Sequence, residues 1–155
     1  MTLVENTEKA ACVSAFTTAI IDDSSINCRM LKRIASKAFP LAARESLVAG
    51  STLTSIESFA RTVVALDSDL VLVDYNFGVV CQSLFGTDIV RQIRDLDKEA
   101  ERTLPRKRPR LIFVVSANDS PSDVACYKRA GADGHIPKNV GAVRLRELIY
   151  ERVAS

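Results

Sequence analysis

The chain has 155 residues, of which 47% are hydrophobic and 26% charged, a balance that suits one globular domain with a sizeable core. Its net charge of +2 is too small to predict a nucleic-acid or membrane partner, so direct DNA binding is not expected. Four widely spaced cysteines without a C-x-x-C pair, and a single histidine, argue against a zinc site or a disulfide framework. They favour a reducing compartment, the cytoplasm.

The amino-terminal segment is expected to be a lead-in to the domain. We predict a flexible stretch over residues 1–15 and a single domain over residues 16–155. The apolar stretch at 10–21 is too short to span a membrane, and no plausible cleavage site follows it. No other apolar stretch approaches the length of a membrane span.

The first predicted unit is a strand followed by a helix. Residues 17–21 form a short apolar run typical of a strand, and Ser24 or Ser25 can cap the helix after it. Apolar residues recur in this helix at every fourth position: Ile26, Met30, Ile34 and Ala38. Residues 39–40, Phe-Pro, end the helix.

The second and third units have the same order. Residues 45–49 form a weaker strand that stops at Gly50, and a helix follows. Its apolar positions are Leu53, Ile56, Phe59, Ala60 and Val63. Residues 70–73 are apolar on both faces, which is the pattern of a strand covered by helices on both sides. A third helix starts at residues 86–88, and its apolar positions are Ile89, Ile93 and Leu96.

The fourth and fifth units begin with a second fully apolar strand at residues 111–115. Residues 120–123 supply a helix cap, a proline at the first helical position and an acid in the first turn, and Gly131 suits the end of that helix. Residues 134–137 form a short fifth strand. The apolar positions of the last helix are Leu145, Leu148 and Ile149.

Five strand–helix units in strict alternation predict an α/β fold, with a parallel sheet, right-handed crossovers and helices on both faces. Polar residues follow four of the strands: Asp22 and Asp23, Asp74, Ser116, and Lys138. Open parallel sheets gather their active residues at the carboxyl ends of the strands, so we expect these side chains to share one crevice.

The acids of this group suit a hard divalent cation. Carboxylates gathered in a crevice repel one another, and Mg²⁺ (or Mn²⁺) removes that repulsion while preferring oxygen ligands. We predict that Asp22, Asp23 and Asp74 hold the ion, and that the backbone carbonyl of Asn76 adds a ligand. Taken alone, the two adjacent acids would be interpreted as caps of the first helix.

The remaining residues suit phosphoryl transfer. A carboxylate such as Asp74 can attack phosphorus to form an acyl phosphate, and the protein then contributes mainly position and positive charge. Lys138 would supply charge opposite the metal, and the Ser116 hydroxyl could donate to a phosphoryl oxygen. The small Ala117 leaves the approach open.

Four motifs together resemble the receiver domain of two-component response regulators, over roughly residues 16–152. They are I-I-D-D-S at 20–24, L-V-L-V-D-Y-N at 70–76, V-V-S-A at 114–117 and A-G-A-D-G-H-I-P-K at 130–138. The resemblance implies a flavodoxin-like (βα)5 doubly wound sheet with strand order 2-1-3-4-5.

The resemblance also implies roles and partners. Asp74 would accept a phosphoryl group from a histidine kinase or a histidine phosphotransfer protein, and Ser116 and Lys138 would sense it. His135 falls where the family usually has Tyr or Phe, the aromatic switch that turns inward. The outcome would be a changed surface for an unknown downstream protein. One hypothesis is that the histidine makes the output depend on pH, and the alternative is that any ring serves.

Three departures from the family pattern are visible. Asn139 follows Lys138 where the family often has proline, so we predict a trans Lys138–Asn139 bond and a reshaped loop. The loop at 77–85 is long and apolar, and either gates partner access or is a neutral insertion. We interpret the segment at 95–110 as a solvated extension of the third helix and its connector; its basic end could otherwise dock nucleic acid or an acidic partner.

Two other classes of function are alternatives to this one. The first is a receiver-like interaction module that works without phosphorylation. The second is a phosphohydrolase with an aspartate nucleophile, which wants an acid two residues after that nucleophile, where this chain has Asn76. We therefore expect a signalling domain that catalyses only its own phosphorylation and dephosphorylation, not a turnover enzyme.

Overall fold

The computed structural model describes residues 16–39, 47–106 and 108–154. The strands are Thr18–Ile21 (β1), Leu47–Ala49 (β2), Leu70–Asp74 (β3), Asn76–Phe77 (β4), Cys81–Phe85 (β5), Leu111–Ser116 (β6) and Gly134–Pro137 (β7). The helices are Ser25–Ala38 (α1), Leu53–Leu66 (α2), Gly86–Glu101 (α3), Pro121–Ala130 (α4) and Ala142–Ala154 (α5). None of these helices is long and apolar enough to cross a bilayer.

Five strands form one parallel sheet in the order β2-β1-β3-β6-β7. Counted within this sheet the order is 2-1-3-4-5, so the predicted flavodoxin-like topology is confirmed. Successive residues of a strand point to opposite faces, and β3 shows this directly. Leu70 and Leu72 join an apolar cluster with α1 and α5, whereas Val71 and Val73 join a cluster with α2, α3 and α4. Both faces are therefore covered, as the apolar runs predicted.

Most predicted helix ends are also confirmed. Ser24 caps α1, with its hydroxyl accepting from Asn27 N–H at 3.3 Å, and Ser120 caps α4 in the same way. Gly131 ends α4 with φ 112°, a left-handed conformation that favours glycine. Pro40, residues 45–46 and the lead-in at 1–15 lie outside the described residues.

The predicted apolar stripe of α1 was wrong in its first half, although Ala38 is buried and Ile34 packs against the core as predicted. Ile26 and Met30 are 62% and 49% exposed, and the buried residues are Cys28, Leu31, Ala35 and Ala38. A helix turns about 100° per residue, so a spacing of four drifts about 40° per step and spirals off the buried face. Alternating steps of three and four stay on one face, and the buried set has that spacing.

The loop after Asp74 contains a β-hairpin that the sequence did not predict. β4 and β5 pair antiparallel, and Phe77 lies opposite Cys81 with both side chains buried in the cluster under α3. Val79 at the turn is 91% exposed. The Gly86 N–H donates to the Tyr75 carbonyl at 2.7 Å, which closes the hairpin onto the start of α3.

The connector after α3 is exposed over residues 102–105, as predicted, but the arginines at its basic end are not freely solvated, and that part of the prediction was wrong. The helix does extend to Glu101. Beyond it, Arg106 and Arg108 both bind the Asp69 carboxylate, at 2.8 Å and 3.3 Å. Arg110 is buried and forms a two-pronged bond with Asp97, with both N–O distances 2.9 Å. These guanidinium groups are engaged with the domain itself and do not form a free basic surface.

Candidate functional site

Three acids meet at the carboxyl end of the sheet. Asp22 and Asp23 directly follow β1, and Asp74 is the last residue of the adjacent β3. One carboxylate oxygen from each lies within 4.8 Å of the others. Asp22 and Asp74 are only 1% and 2% exposed, and Asp23 is half-buried. The predicted convergence of these side chains is therefore present in the fold.

Each buried carboxylate has one satisfied and one unsatisfied oxygen. Asp22 Oδ1 accepts from Ser24 N–H at 2.9 Å. Asp74 Oδ1 accepts from Tyr75 N–H at 3.0 Å and lies 3.1 Å from the Lys138 ammonium. The Oδ2 atoms of Asp22 and Asp74 are buried and have no hydrogen-bond partner among the described residues. Buried carboxylate oxygens left in this state are costly unless a cation reaches them.

Burial dominates the electrostatics of these acids. It raises the pKa of Asp74 to about 6; the neighbouring Asp22 carboxylate raises it further, while Lys138 lowers it. Burial likewise raises the pKa of Asp22. For Lys138 burial acts to lower the pKa, but the bond to Asp74 outweighs it and the pKa is raised, so the ammonium is charged at neutral pH.

The donor set fits a hard divalent cation. All three acids offer carboxylate oxygens, two of which are the buried, unpartnered atoms, and Mg²⁺ prefers such ligands. The Asn76 side-chain oxygen accepts from Gly78 N–H at 2.8 Å inside the hairpin. The Asn76 carbonyl as a further ligand stays a prediction.

The hairpin turn packs directly against one of these acids. Gly78 has φ 57°, and a Cβ placed on it would lie 2.5 Å from Asp23 Oδ2. The position therefore needs glycine both for its backbone conformation and for the closeness of the carboxylate. The insertion thus contributes to the wall of the acidic site.

Asp22 is also fixed through its backbone, by contacts that the sequence did not predict. The Cys28 thiol donates to the Asp22 carbonyl at 3.3 Å, and burial raises the pKa of that thiol to about 11, so it remains a neutral donor. The Asp22 N–H donates to Ala49 O at 3.1 Å. A Cβ on Gly50 would lie 2.3 Å from the Asp22 carbonyl oxygen. The backbone at residue 50 therefore approaches the Asp22 backbone so closely that only glycine fits.

The predicted phosphate-sensing residues lie at the same edge. Ser116 is the buried last residue of β6 and pairs with Pro137, and Lys138 follows directly. Ala117 is exposed, in keeping with an open approach. The Lys138–Asn139 peptide bond is trans, as predicted.

Two rings hold the Ser116 segment. His135 Nε2 lies 2.8 Å from the Ser116 carbonyl oxygen, and because a carbonyl only accepts, this nitrogen carries the proton. The Tyr127 hydroxyl donates its one proton to the Asn118 carbonyl at 2.9 Å, and its oxygen lies 3.2 Å from Ser116 Oγ. Sequence reasoning missed Tyr127; its spacing from Ala130, three residues later on α4, was the available signal of a buried face.

Comparison with known proteins shows which solved structures have the same fold. No family model matches the chain, and no curated protein matches it. Among solved structures, the chain is similar to the receiver domain of the histidine kinase CKI1 from Arabidopsis thaliana complexed with Mg²⁺ and BeF3⁻. That match has 16% identity, 96% coverage of each chain and a TM-score of 0.64.

A second solved structure gives the same result. It is the signal receiver domain of a DNA-binding response regulator (merR) from Colwellia psychrerythraea 34H, at 18% identity. The match covers 90% of this chain and 99% of that one, with a TM-score of 0.64. The chain therefore has the fold of response regulator receiver domains, the fold that its sequence motifs resemble.

Proposed function

We propose that the protein is a phosphoacceptor receiver domain of a two-component phosphorelay. It takes a phosphoryl group from a phospho-histidine onto Asp74 with Mg²⁺ (or Mn²⁺) and thereby switches a surface read by a downstream protein. The observation that carries the proposal is the clustering of Asp22, Asp23 and Asp74, with Lys138 3.1 Å from Asp74. The donor would be a histidine kinase or a histidine phosphotransfer protein, acting in the cytoplasm.

Asp74 is the nucleophile in this proposal. One of its carboxylate oxygens attacks phosphorus, an O–P bond forms, and the N–P bond of the phospho-imidazole breaks with its electron pair left on nitrogen. The pKa of about 6 keeps most of this carboxyl ionised above pH 7, as a nucleophile requires. The buried position at the end of β3 keeps bulk water away from the acyl phosphate.

The surrounding residues would bind the transferred group. A bound Mg²⁺, held by Asp22, Asp23, Asp74 and the Asn76 carbonyl, would offset the negative charge of the carboxylates and the phosphoryl oxygens. Lys138 would pair with a phosphoryl oxygen, and the Ser116 hydroxyl would donate to another. His135, bound to the Ser116 carbonyl, would transmit that change to the β7 side of the domain. The two alternatives for this ring, an output that depends on pH and a site that any ring could fill, both stay hypotheses.

The test is phosphorylation by a small donor. Protein with Mg²⁺ and acetyl phosphate should gain the mass of one phosphoryl group, and hydroxylamine should remove it, because acyl phosphates react with that nucleophile. Asp74→Asn should abolish the gain, whereas Asp95→Asn, at a position on α3 away from the acidic cluster, should leave it intact. Excess EDTA should prevent it. A wild-type protein that is never modified at Asp74 would instead favour the phosphorylation-independent interaction module.

A further inference from the structure

The hydroxyl groups of Ser116 and Tyr127 can share their protons in one order only. Tyr127 is 1% exposed, and its oxygen lies 2.9 Å from the Asn118 carbonyl oxygen and 3.2 Å from Ser116 Oγ. A carbonyl oxygen only accepts, so the single Tyr127 proton points to Asn118. Burial raises the pKa of Tyr127, so the hydroxyl keeps this proton. The hydrogen bond between the two hydroxyl oxygens therefore uses the proton of Ser116.

The Ser116 hydroxyl is thus part of a closed ring of three hydrogen bonds. Asn118 N–H donates to Ser116 Oγ at 2.9 Å, Ser116 donates to the Tyr127 oxygen, and Tyr127 donates to the Asn118 carbonyl. A serine hydroxyl carries one proton, and that proton is used inside this ring. Ser116 must therefore break its bond to Tyr127 before it can donate to any other acceptor.

The Tyr127 ring is packed in place, so its oxygen does not follow the Ser116 hydroxyl when that group turns. The ring lies between those of Tyr75 and His135, with centroid distances of 5.6 Å and 5.8 Å. The Ser116 hydroxyl, in contrast, moves by rotation about a single Cα–Cβ bond. A change of rotamer at Ser116 therefore separates the two oxygens and leaves the tyrosine where it is.

We propose that Tyr127 is a positioning residue that restrains Ser116, because its oxygen competes for the proton that Ser116 must offer to the group held on Asp74. The proposal rests on the proposed function, since the second acceptor is an oxygen of the phosphoryl group or the corresponding atom of its analogue. One proton serves one of the two acceptors, so binding includes the loss of the Ser116–Tyr127 bond. Tyr127 therefore favours the unphosphorylated arrangement and lowers the affinity of the site for the group.

The first test removes the competing oxygen and keeps the ring. Beryllofluoride, a phosphoryl analogue, is titrated at saturating Mg²⁺ into wild type, Tyr127→Phe and Tyr150→Phe by calorimetry. In Tyr127→Phe the bond to Ser116 is absent before the ligand arrives, whereas the bond to Asn118 is missing from both states and cancels. Binding is expected to become about two- to tenfold tighter, which is the value of one neutral hydrogen bond.

The direction of this change separates a restraint from a support of the fold. Tyr150 packs on Phe39 in the opposite apolar cluster and serves as the matched control, with unchanged affinity. A tyrosine that only supports the site would give weaker binding when its hydroxyl is removed. Unchanged or weaker binding of beryllofluoride by Tyr127→Phe would overturn the proposal.

The second test asks whether the effect acts through Ser116. In a Ser116→Ala background there is no proton to restrain, so adding Tyr127→Phe should leave the affinity for beryllofluoride unchanged. An equal gain in both backgrounds would mean that Tyr127 acts on the site by another route, and would overturn the proposal. A wild type that binds no beryllofluoride would overturn the proposed function as well. Asp74-dependent binding that ignores Tyr127 would overturn the restraint alone.

A third measurement needs no variant. The Tyr127 oxygen loses the Ser116 proton when the group binds, so the ¹³Cζ resonance of Tyr127 in wild-type protein should move when beryllofluoride is added at saturating Mg²⁺. Mg²⁺ alone should leave the resonance in place, because the ion offers no acceptor for a hydroxyl proton. A resonance that moves fully with Mg²⁺ alone, or does not move with beryllofluoride, would overturn the proposal.

Discussion

Replacing the candidate phosphoacceptor should stabilise the metal-free protein. Asp74 is 2% exposed, one of its oxygens has no partner among the described residues, and Asp22 lies beside it. Asn has nearly the same shape and no charge, so Asp74→Asn removes a buried charge that Lys138, itself 41% exposed, compensates only in part. Asp74→Asn, the variant proposed to abolish phosphorylation, is therefore expected to unfold at a higher denaturant concentration than wild type.

The magnitude follows from the pKa. The carboxyl of Asp74 has an ordinary pKa of 3.8, which the fold raises to about 6. One pKa unit is worth about 1.4 kcal/mol, so the ionised form costs the folded state about 3 kcal/mol. The folded protein binds more protons than the unfolded chain between these two values. The unfolding free energy of wild type therefore falls as the pH rises through that window and levels off above it.

The assay is urea unfolding of wild type and Asp74→Asn in EDTA, at pH 4 and at pH 8. The advantage of the variant in unfolding free energy should be about 2.5 kcal/mol larger at pH 8 than at pH 4, because part of the penalty is already present at pH 4, just above the ordinary pKa. Other titrating groups are common to both proteins and largely cancel in the difference. Mg²⁺ at pH 8 should stabilise wild type more than the variant. A difference that does not change with pH would refute the reasoning.

Two further predictions concern the two unexpected structural features. Arg110→Met should lower the free energy of unfolding by about 3 kcal/mol, because loss of the buried guanidinium leaves the Asp97 carboxylate and the Ser68 carbonyl without this donor. Arg91→Met, at an exposed ion pair, should cost less than about 1 kcal/mol in the same urea assay, and equal losses would contradict the account. Gly78→Ala should weaken Mg²⁺ binding about tenfold by displacing Asp23, measured by calorimetry. In the control Gly141→Ala, the added Cβ meets nothing within 4 Å, so Mg²⁺ binding should be unchanged. Equal losses of Mg²⁺ affinity in the two variants would count against a role for the hairpin.

The sequence alone was enough to predict those features that a short run of residues determines by itself. A run that is apolar at every position and flanked by helical patterns is best explained as a strand buried on both faces, and the residue after it then lies at the edge of the sheet. This rule brings Asp74 and Ser116 to one edge of the sheet, whereas Lys138 was placed there by the alternation of strands and helices and by the short strand before it. Helix caps are equally local, and Ser120 with Pro121 and Gly131 marked both ends of α4.

The sequence was insufficient where a side chain is satisfied by residues distant along the chain. The arginines after α3 look like a basic tail, but Arg106 and Arg108 meet Asp69, nearly forty residues earlier, because β3 and β6 are neighbours in the sheet. Tyr127 reaches Ser116 only because α4 folds back over the end of β6. The hairpin after Asp74 depends on Phe77 filling space under α3, which no short-range pattern reports.

The cost of assembling the site also bears on how it could signal. About 3 kcal/mol of destabilisation at Asp74 corresponds to a factor of about a hundred in an equilibrium constant. A ligand that relieves this charge in one arrangement of Ser116 and Lys138, and less in another, could shift the ratio of the two arrangements by up to that factor. The ratio changes only if the ligand relieves the Asp74 charge more in one arrangement than in the other. A cation that both arrangements bind equally well leaves their ratio unchanged. Under the proposed function, the residues that distinguish them would contact the phosphoryl group, and Ser116, which contacts Tyr127 and His135, is the one whose surroundings couple it to two further elements.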